Sequence, residues 1–449
     1  MIVRPVRPLA PPPPTEGPRL LRFALAATAV GTAVGGAIAV APVAAGAGLA
    51  GLLGAVALLR SPLRAELVVA AFWLTFCLYE TIWASVTVPG LFYPFYAAFF
   101  ATVAFRLARG GLRLRGDVVV PYAVFLVAVL ASFVGFADPV AFEVLQRVLA
   151  YAFGVLVLVQ VGSKEGVHVL LAAALTAALS VATWVVVSAI ADGFSYRGGV
   201  EVDQNVVAFF VGVGLVTALA LLVTRSWIAA PAGGALLLLL TSAVLIYALL
   251  LLASRGMTLA VAAAALLIVA RSVTRDRRAW RIVAGFVLAG SLMLALPGGA
   301  SLFDRFEGEN VESGGSRLPI WVATVDAQVQ SDLRRLLLGH GFDASKSLVL
   351  ETFPTLTSTH NAFLQVGYEF GLIGLAAFVT LHLVLLVRGW RLGGAPGAVM
   401  LGLTAFLIGA NMTTNASNGF LYWTVLGLVL AIDVWWPEPA SPRIGSARA

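Results

Sequence analysis

Residues 205–224 read NVVAFFVGVGLVTALALLVT, twenty positions without a charged side chain. That is about the number of apolar residues a helix needs to cross the hydrocarbon core of a bilayer. A backbone placed there has no water to bond, so it must satisfy its N–H and C=O groups internally, as a helix does. Working outward, apolar runs of similar length begin near residues 22, 42, 66, 90, 118, 141, 166, 230, 257, 281, 361, 396 and 418. The first two are rich in Ala and Gly and joined by almost nothing. The expectation is therefore an all-α polytopic membrane protein of about 12–14 transmembrane helices, with an even count favoured.

Composition agrees. Of the 449 residues, 60% are hydrophobic and 11% charged, and the mean hydropathy is +0.96. A soluble domain has about 25% charged residues. The one cysteine, Cys77, lies inside an apolar run, so no intrachain disulfide forms and redox compartment is not legible. The net charge of +7 would suit nucleic acid, but its distribution points elsewhere. Lys and Arg gather at the cytoplasmic ends of spans. With the N-terminus inside, 21 of the 29 Lys and Arg fall on inner segments, five in one long loop and three at other outer positions. This predicts both termini in the cytoplasm and needs no nucleic acid. The basic, proline-rich stretch Arg4 to Pro14 reads as a retained cytoplasmic tail, since it lacks a short apolar core followed by a cleavage site.

The resulting organisation has five parts. Residues 1–21 form a cytoplasmic Pro/Arg-rich tail and 22–297 a transmembrane bundle. Residues 298–359 form an extracytoplasmic loop, 360–436 the C-terminal spans and 437–449 a cytoplasmic tail. Within the loop, Arg317 to Leu338 reads as one amphipathic helix. Its apolar residues Leu318, Trp321, Val322, Val325 and Val329 recur at three- and four-residue spacing, and Gly339-His340-Gly341 ends it.

Three places break the rules of their surroundings. Ser254-Arg255-Gly256 sets a charge at the outer end of a span, which marks a functional candidate; a snorkelling arginine at a tight turn fits the same residues. Gly314-Gly315-Ser316-Arg317 opens the loop helix four residues before Trp321. A helix N-terminus with a guanidinium beside it suits a phosphate, although an arginine on an aqueous loop is ordinary. Thr357-Ser358-Thr359-His360-Asn361 precedes the next span, where Ser and Thr are good N-caps and histidine suits proton transfer. A capping histidine fits equally well. His360 and Glu369, nine residues apart, would face opposite sides of a straight helix. Arg197 sits in an outer loop with Glu201 and Asp203, where pairing of the charges is as good a reading as substrate contact. Asn411 to Asn418 reads as a polar outer turn. The sequence carries no zinc-spaced His/Cys cluster and no P-loop, and no metal site or cofactor is expected.

The outer Ser254-Arg255-Gly256 turn, Arg317 near Trp321, and His360-Asn361 followed by Glu369-Phe370-Gly371-Leu372-Ile373-Gly374 together resemble the O-antigen ligase and polymerase superfamily. The resemblance runs from about Arg197 to Ile373, and its most specific part is His360 to Gly374. It implies a GT-C-like architecture and a metal-independent glycosyltransferase of the bacterial inner membrane, with its active site facing the periplasm. The donor it implies is a glycan on undecaprenyl diphosphate. In the ligase branch, favoured here, the acceptor is the lipid A-core, so the product is lipopolysaccharide. Carried onto this chain, His360 becomes the base or acceptor-orienting group, and Arg255 and Arg317 hold the diphosphate. Arg197, Ser254, Asn361, Glu369 and Trp321 would support them. The partners implied are the lipid-linked donor, the lipid A-core and membrane lipid. The polymerase branch and a protein O-glycosylating branch share the motifs and the donor. A transporter or flippase would show matched inverted halves and mid-membrane charges; no internal repeat is present, and Glu80 is the main exception among the charges.

Overall fold

The computed structural model describes residue 70 and residues 116–132, 151–152, 154, 157, 161–194, 203–224, 233–274, 279–298, 317–353 and 358–436. Among these residues the chain is helical. Six helices precede the long loop: α1 (Gly116–Ser132), α2 (Lys164–Ala191), α3 (Gln204–Val223), α4 (Gly233–Leu252), α5 (Arg255–Val273) and α6 (Ala279–Leu294). The loop carries α7 (Arg317–Val329), α8 (Leu333–Leu338) and α9 (Ala344–Thr352). Then come α10 (Ala362–Arg391), α11 (Gly394–Thr413), a 3-10 turn at Ala416–Asn418, and α12 (Phe420–Trp435). Among the described residues, α2, α3, α5, α10 and α11 are long and apolar enough to cross a membrane, so the protein is an all-α multi-pass membrane protein. The apolar runs near residues 22, 42, 66, 90 and 141 lie largely or wholly outside the described residues, as do the two tails.

The ends of the helices collect into two groups. At one end Arg271, buried at the end of α5, donates to the carbonyls of Trp390, Leu392 and Gly394 at the α10–α11 turn. Arg388 of α10 donates to Asp433 of α12 at 2.9 Å and to Asp117 of α1. The same end holds His168 of α2 against Trp436, 4.7 Å between ring centroids. These are the ends that the basic bias assigns to one side. At the other end lie the starts of α3, α5, α10 and α12 and the end of α11. Between the two ends Trp423 is enclosed by Tyr122, Phe125, Tyr151 and Tyr422, with ring centroids 5.2 to 5.8 Å away. Side chains such as Leu240, Leu266 and Leu292 remain exposed on the bundle surface. That pattern suits a protein whose outer solvent is lipid rather than water.

The loop differs from its expected form in one respect. The amphipathic segment is two helices, because Asp332 starts α8 afresh by accepting the Arg335 N–H at 2.9 Å. Asp is a strong N-cap, and its preference wins over continuation of the apolar stripe. On α7 only Ile320 and Thr324 are buried, while Leu318, Val322, Val325 and Val329 face outward.

Helix α10 is interrupted at Gly371, where φ is 70° and ψ −177°. The break releases two carbonyls from the helical ladder. His340 N–H donates to Tyr368 C=O at 2.8 Å, and Gly341 N–H donates to Glu369 C=O at 3.1 Å. The loop thus docks backbone to backbone against the kink. A Cβ at Gly371 would lie 2.2 Å from the Leu337 carbonyl oxygen, and one at Gly339 would lie 2.1 Å from that of Glu369. Glycine is required on both sides of this contact.

Candidate active site

Where the second group of helix ends meets, a cleft of about 340 Å³ opens. Asp203 and Asn205 line it from the start of α3, and Met257 from α5. Ser358 and His360 line it from the approach to α10; Thr414, Asn415 and Ala416 from the turn after α11; Phe420 and Tyr422 from α12. Residues more than two hundred positions apart in the chain converge here.

His360 sits in the left-handed backbone region at φ 50°, which costs a non-glycine residue on the order of 1 kcal/mol or more. Its surroundings hold it there. After it, Asn361 caps α10: its Oδ1 accepts from the Phe363 and Leu364 N–H groups at 3.0 and 3.2 Å. The sequence reading placed this cap on Ser or Thr; asparagine holds it instead, being as good a cap. Before His360, the fully buried Thr359 presents its carbonyl to Trp321 Nε1 at 2.9 Å. The His360 N–H donates to Ser358 Oγ at 3.2 Å. Removal from solvent is the main cause that keeps the imidazole pKa below its ordinary value. The positive charge of Arg317 lowers it further, and the Asp203 carboxylate opposes both. His360 is therefore neutral near pH 7 and able to accept a proton.

The other expected residues fall into two sets. Arg317 opens α7 and bears electrostatically on His360, and Trp321, one turn on, anchors Thr359. Ser254 precedes α5; instead of capping it, its hydroxyl donates to Asn205 Oδ1 at 2.9 Å and ties the start of α5 to that of α3. Arg255 follows, half-buried. Gly256 lets α11 come close, since a Cβ there would lie 2.5 Å from Thr413 Oγ1. Glu369 stands apart from the cleft lining. It is buried in α10 and accepts from Ser345 Oγ of α9 at 2.5 Å and from Gln365 Nε2 at 3.0 Å. Its bond to Ser345 ties the loop to α10. Arg197 lies outside the described residues. His340 packs flat on Tyr368, 4.1 Å between ring centroids, and meets Ser331 Oγ at 2.6 Å. It too serves the docked loop, and partial burial keeps its pKa low.

The sequence reading missed the contribution of the Asn411 to Asn418 turn. Asn415 Nδ2 donates to Ser358 Oγ at 2.7 Å, and its Oδ1 accepts from Thr359 Oγ1 at 3.2 Å. The turn is itself fixed, with Ser417 N–H donating to Asn411 Oδ1 at 3.2 Å and Trp423 Nε1 to Ser417 C=O at 2.7 Å. Tyr422 joins the cleft to the buried His382, whose Nε2 meets the Tyr422 hydroxyl. The density of asparagines in 411–418 was the available signal.

Comparison with known families adds one match. Residues 240–379 fit the family model described as O-antigen ligase. The matched stretch includes Ser254, Arg255, Arg317, Trp321, His360, Asn361 and Glu369, whereas Asp203, Asn205, Asn415 and Tyr422 lie outside it. No curated protein matches the chain.

Proposed function

We propose that this chain, a multi-pass membrane protein carrying an O-antigen ligase domain at residues 240–379, transfers a glycan from undecaprenyl diphosphate to the lipid A-core. The transfer takes place on the periplasmic face of a bacterial inner membrane and completes lipopolysaccharide. The observation that carries the reading is His360. It is neutral, half-buried and conformationally fixed on a cleft lined by both polar and apolar side chains at the ends of membrane helices, with the Arg317 charge near enough to act on it.

In this reading the acceptor hydroxyl lies against His360, which takes its proton as the oxygen attacks the anomeric carbon of the donor sugar. The bond from that carbon to the diphosphate oxygen breaks, and the lipid diphosphate leaves with the electron pair. Arg255 and Arg317 stabilise its developing negative charge. Fixed cations at a low-dielectric boundary are effective in this role because they need no reorganisation as the charge develops. The arginines take the place of a metal ion, so chelators should leave transfer intact.

The test is complementation of a gene-deletion strain. His360→Ala should lower transfer by about 100-fold or more, the usual contribution of a positioned general base. Arg255→Ala and Arg317→Ala should each abolish it while the protein stays in the membrane. Full activity in any of the three would refute the assignment. The deletion phenotype tests the acceptor. Full-length lipid-linked polymer with bare core supports the ligase reading. Lipopolysaccharide with a single repeat unit would mean a polymerase, and an unglycosylated pilin beside normal polysaccharide would mean a protein-modifying enzyme.

A further inference from the structure

We propose that Asn415 is the positioning residue that holds His360 in its working conformation, an inference that rests on the transferase reading above. A histidine at φ 50° keeps that backbone only where its neighbours over-determine it. The residues after it are set by the Asn361 cap within α10. The two before it, Ser358 and Thr359, are met by one side chain from a different part of the chain. The Asn415 amide uses both of its functions: Nδ2 donates to the Ser358 hydroxyl at 2.7 Å, and Oδ1 accepts from the Thr359 hydroxyl at 3.2 Å. Ser358 passes the constraint on, because its Oγ also receives the His360 N–H at 3.2 Å. Trp321 holds the opposite side through the Thr359 carbonyl.

Few side chains meet these demands. The site needs a donor and an acceptor about 2 Å apart on a short planar group, which asparagine supplies. Aspartate keeps the acceptor and loses the donor. Leucine keeps the bulk and loses both. The amide is also well supported, since it projects from a turn pinned through Asn411 and Trp423. Asn415 thus couples the α11–α12 turn, outside the O-antigen ligase match, to the histidine within it.

The experiment uses the full-length protein in proteoliposomes, with lipid-linked glycan and lipid A-core isolated from the deletion strain. Asn415→Leu should lower kcat by roughly 10- to 100-fold, corresponding to one or two lost hydrogen bonds, with KM for the donor within twofold. Asn415→Asp should lower kcat about tenfold, and its effect should shrink in a Ser358→Ala background, since the carboxylate keeps the Thr359 contact and loses only the donor to Ser358. Parental kcat in both variants, or an Asn415→Asp effect undiminished by Ser358→Ala, would overturn the inference. If Asn415→Leu does not accumulate, the nearly isosteric Asn415→Asp decides alone. If the parent transfers nothing to lipid A-core, the transferase reading falls and the imidazole spectra decide the positioning. The protein has four histidines, and the His360 resonances are assigned by His360→Gln. Those resonances should shift in Asn415→Asp while the other three stay; an unmoved His360 would overturn the inference.

Discussion

Replacing Gly371 with alanine should undock the loop without removing a single functional group. The consequence can be worked from the contact. At φ 70° and ψ −177° the backbone occupies a region open essentially to glycine, and an alanine there carries about 1–3 kcal/mol of strain. The added Cβ would sit 2.2 Å from the Leu337 carbonyl oxygen, where ordinary contact begins near 3.4 Å. The two backbones must part by about an ångström to relieve that overlap. The bonds from His340 to Tyr368 and from Gly341 to Glu369, now 2.8 and 3.1 Å, would then stretch beyond hydrogen-bonding range. Each contributes about 0.5–1.5 kcal/mol net. Strain and lost bonds together come to about 2–6 kcal/mol.

Hydrogen exchange in lipid nanodiscs reads this directly. A local loss of at least about 2 kcal/mol should speed exchange at the His340 and Gly341 amides about 30-fold or more. Peptides from α3 and α11 should be unchanged. Gly285→Ala is the control, because its Cβ meets nothing within 4 Å and alanine is the better helix former by about 1 kcal/mol. If the two loop amides in Gly371→Ala exchanged within threefold of the parent, the docking argument would be wrong. Transfer should fall as well, since the loop carries Arg317, whose charge acts on His360, and Trp321, which holds Thr359.

Two further outcomes concern charge. Asp203→Asn keeps an N-cap on α3 and removes the carboxylate that raises the His360 pKa; that pKa should then fall further. A base works in its neutral form, so the acid limb of kcat/KM should move to lower pH, and an unmoved or upward-shifted limb would refute the electrostatic assignment. Arg388→Met takes the guanidinium from the buried Asp433, whose side chain is 6% exposed. Breaking such a pair costs about 3–5 kcal/mol, so the melting temperature in detergent should drop by roughly 3–5 °C. Adding Asp433→Asn should recover at least half of that drop, because position 433 then carries no buried charge.

Much of the bundle was legible in the sequence because lipid imposes a simple demand. Twenty uninterrupted apolar residues such as 205–224 have few alternatives to a spanning helix, and α3 occupies that stretch. The charge bias grouped Arg271 and Arg388 on one side, and in the structure they meet at one end of the bundle. Arg255, Arg317 and His360 were noticeable because they contradict their neighbours. The break at Gly371 was not legible. Glycine is common in membrane helices, and only the approach of Leu337 shows what this one is for. The split between α7 and α8 was missed because the apolar stripe continues through Asp332, and a cap outweighs it locally.

Asn415 shows the harder limit. A polar residue in a polar turn violates no expectation, so no local pattern distinguishes it from Asn418, three positions on. Its significance lies in a contact spanning 57 positions to Ser358, and that contact exists only because α10, α11 and α12 alternate in direction and return their ends to one place. The same return explains why the cleft is where it is. Helix ends are the part of a membrane bundle where backbone groups lack intrahelical partners and where polar side chains can be kept without heavy desolvation. Five such ends meet here, so the site draws Asp203, Ser358, His360, Asn415 and Tyr422 from four segments of the chain. The matched family segment supplies only the middle of that set. An account of specificity therefore has to include α3 and the α11–α12 turn, because they form the remaining walls of the cleft against which His360 is placed.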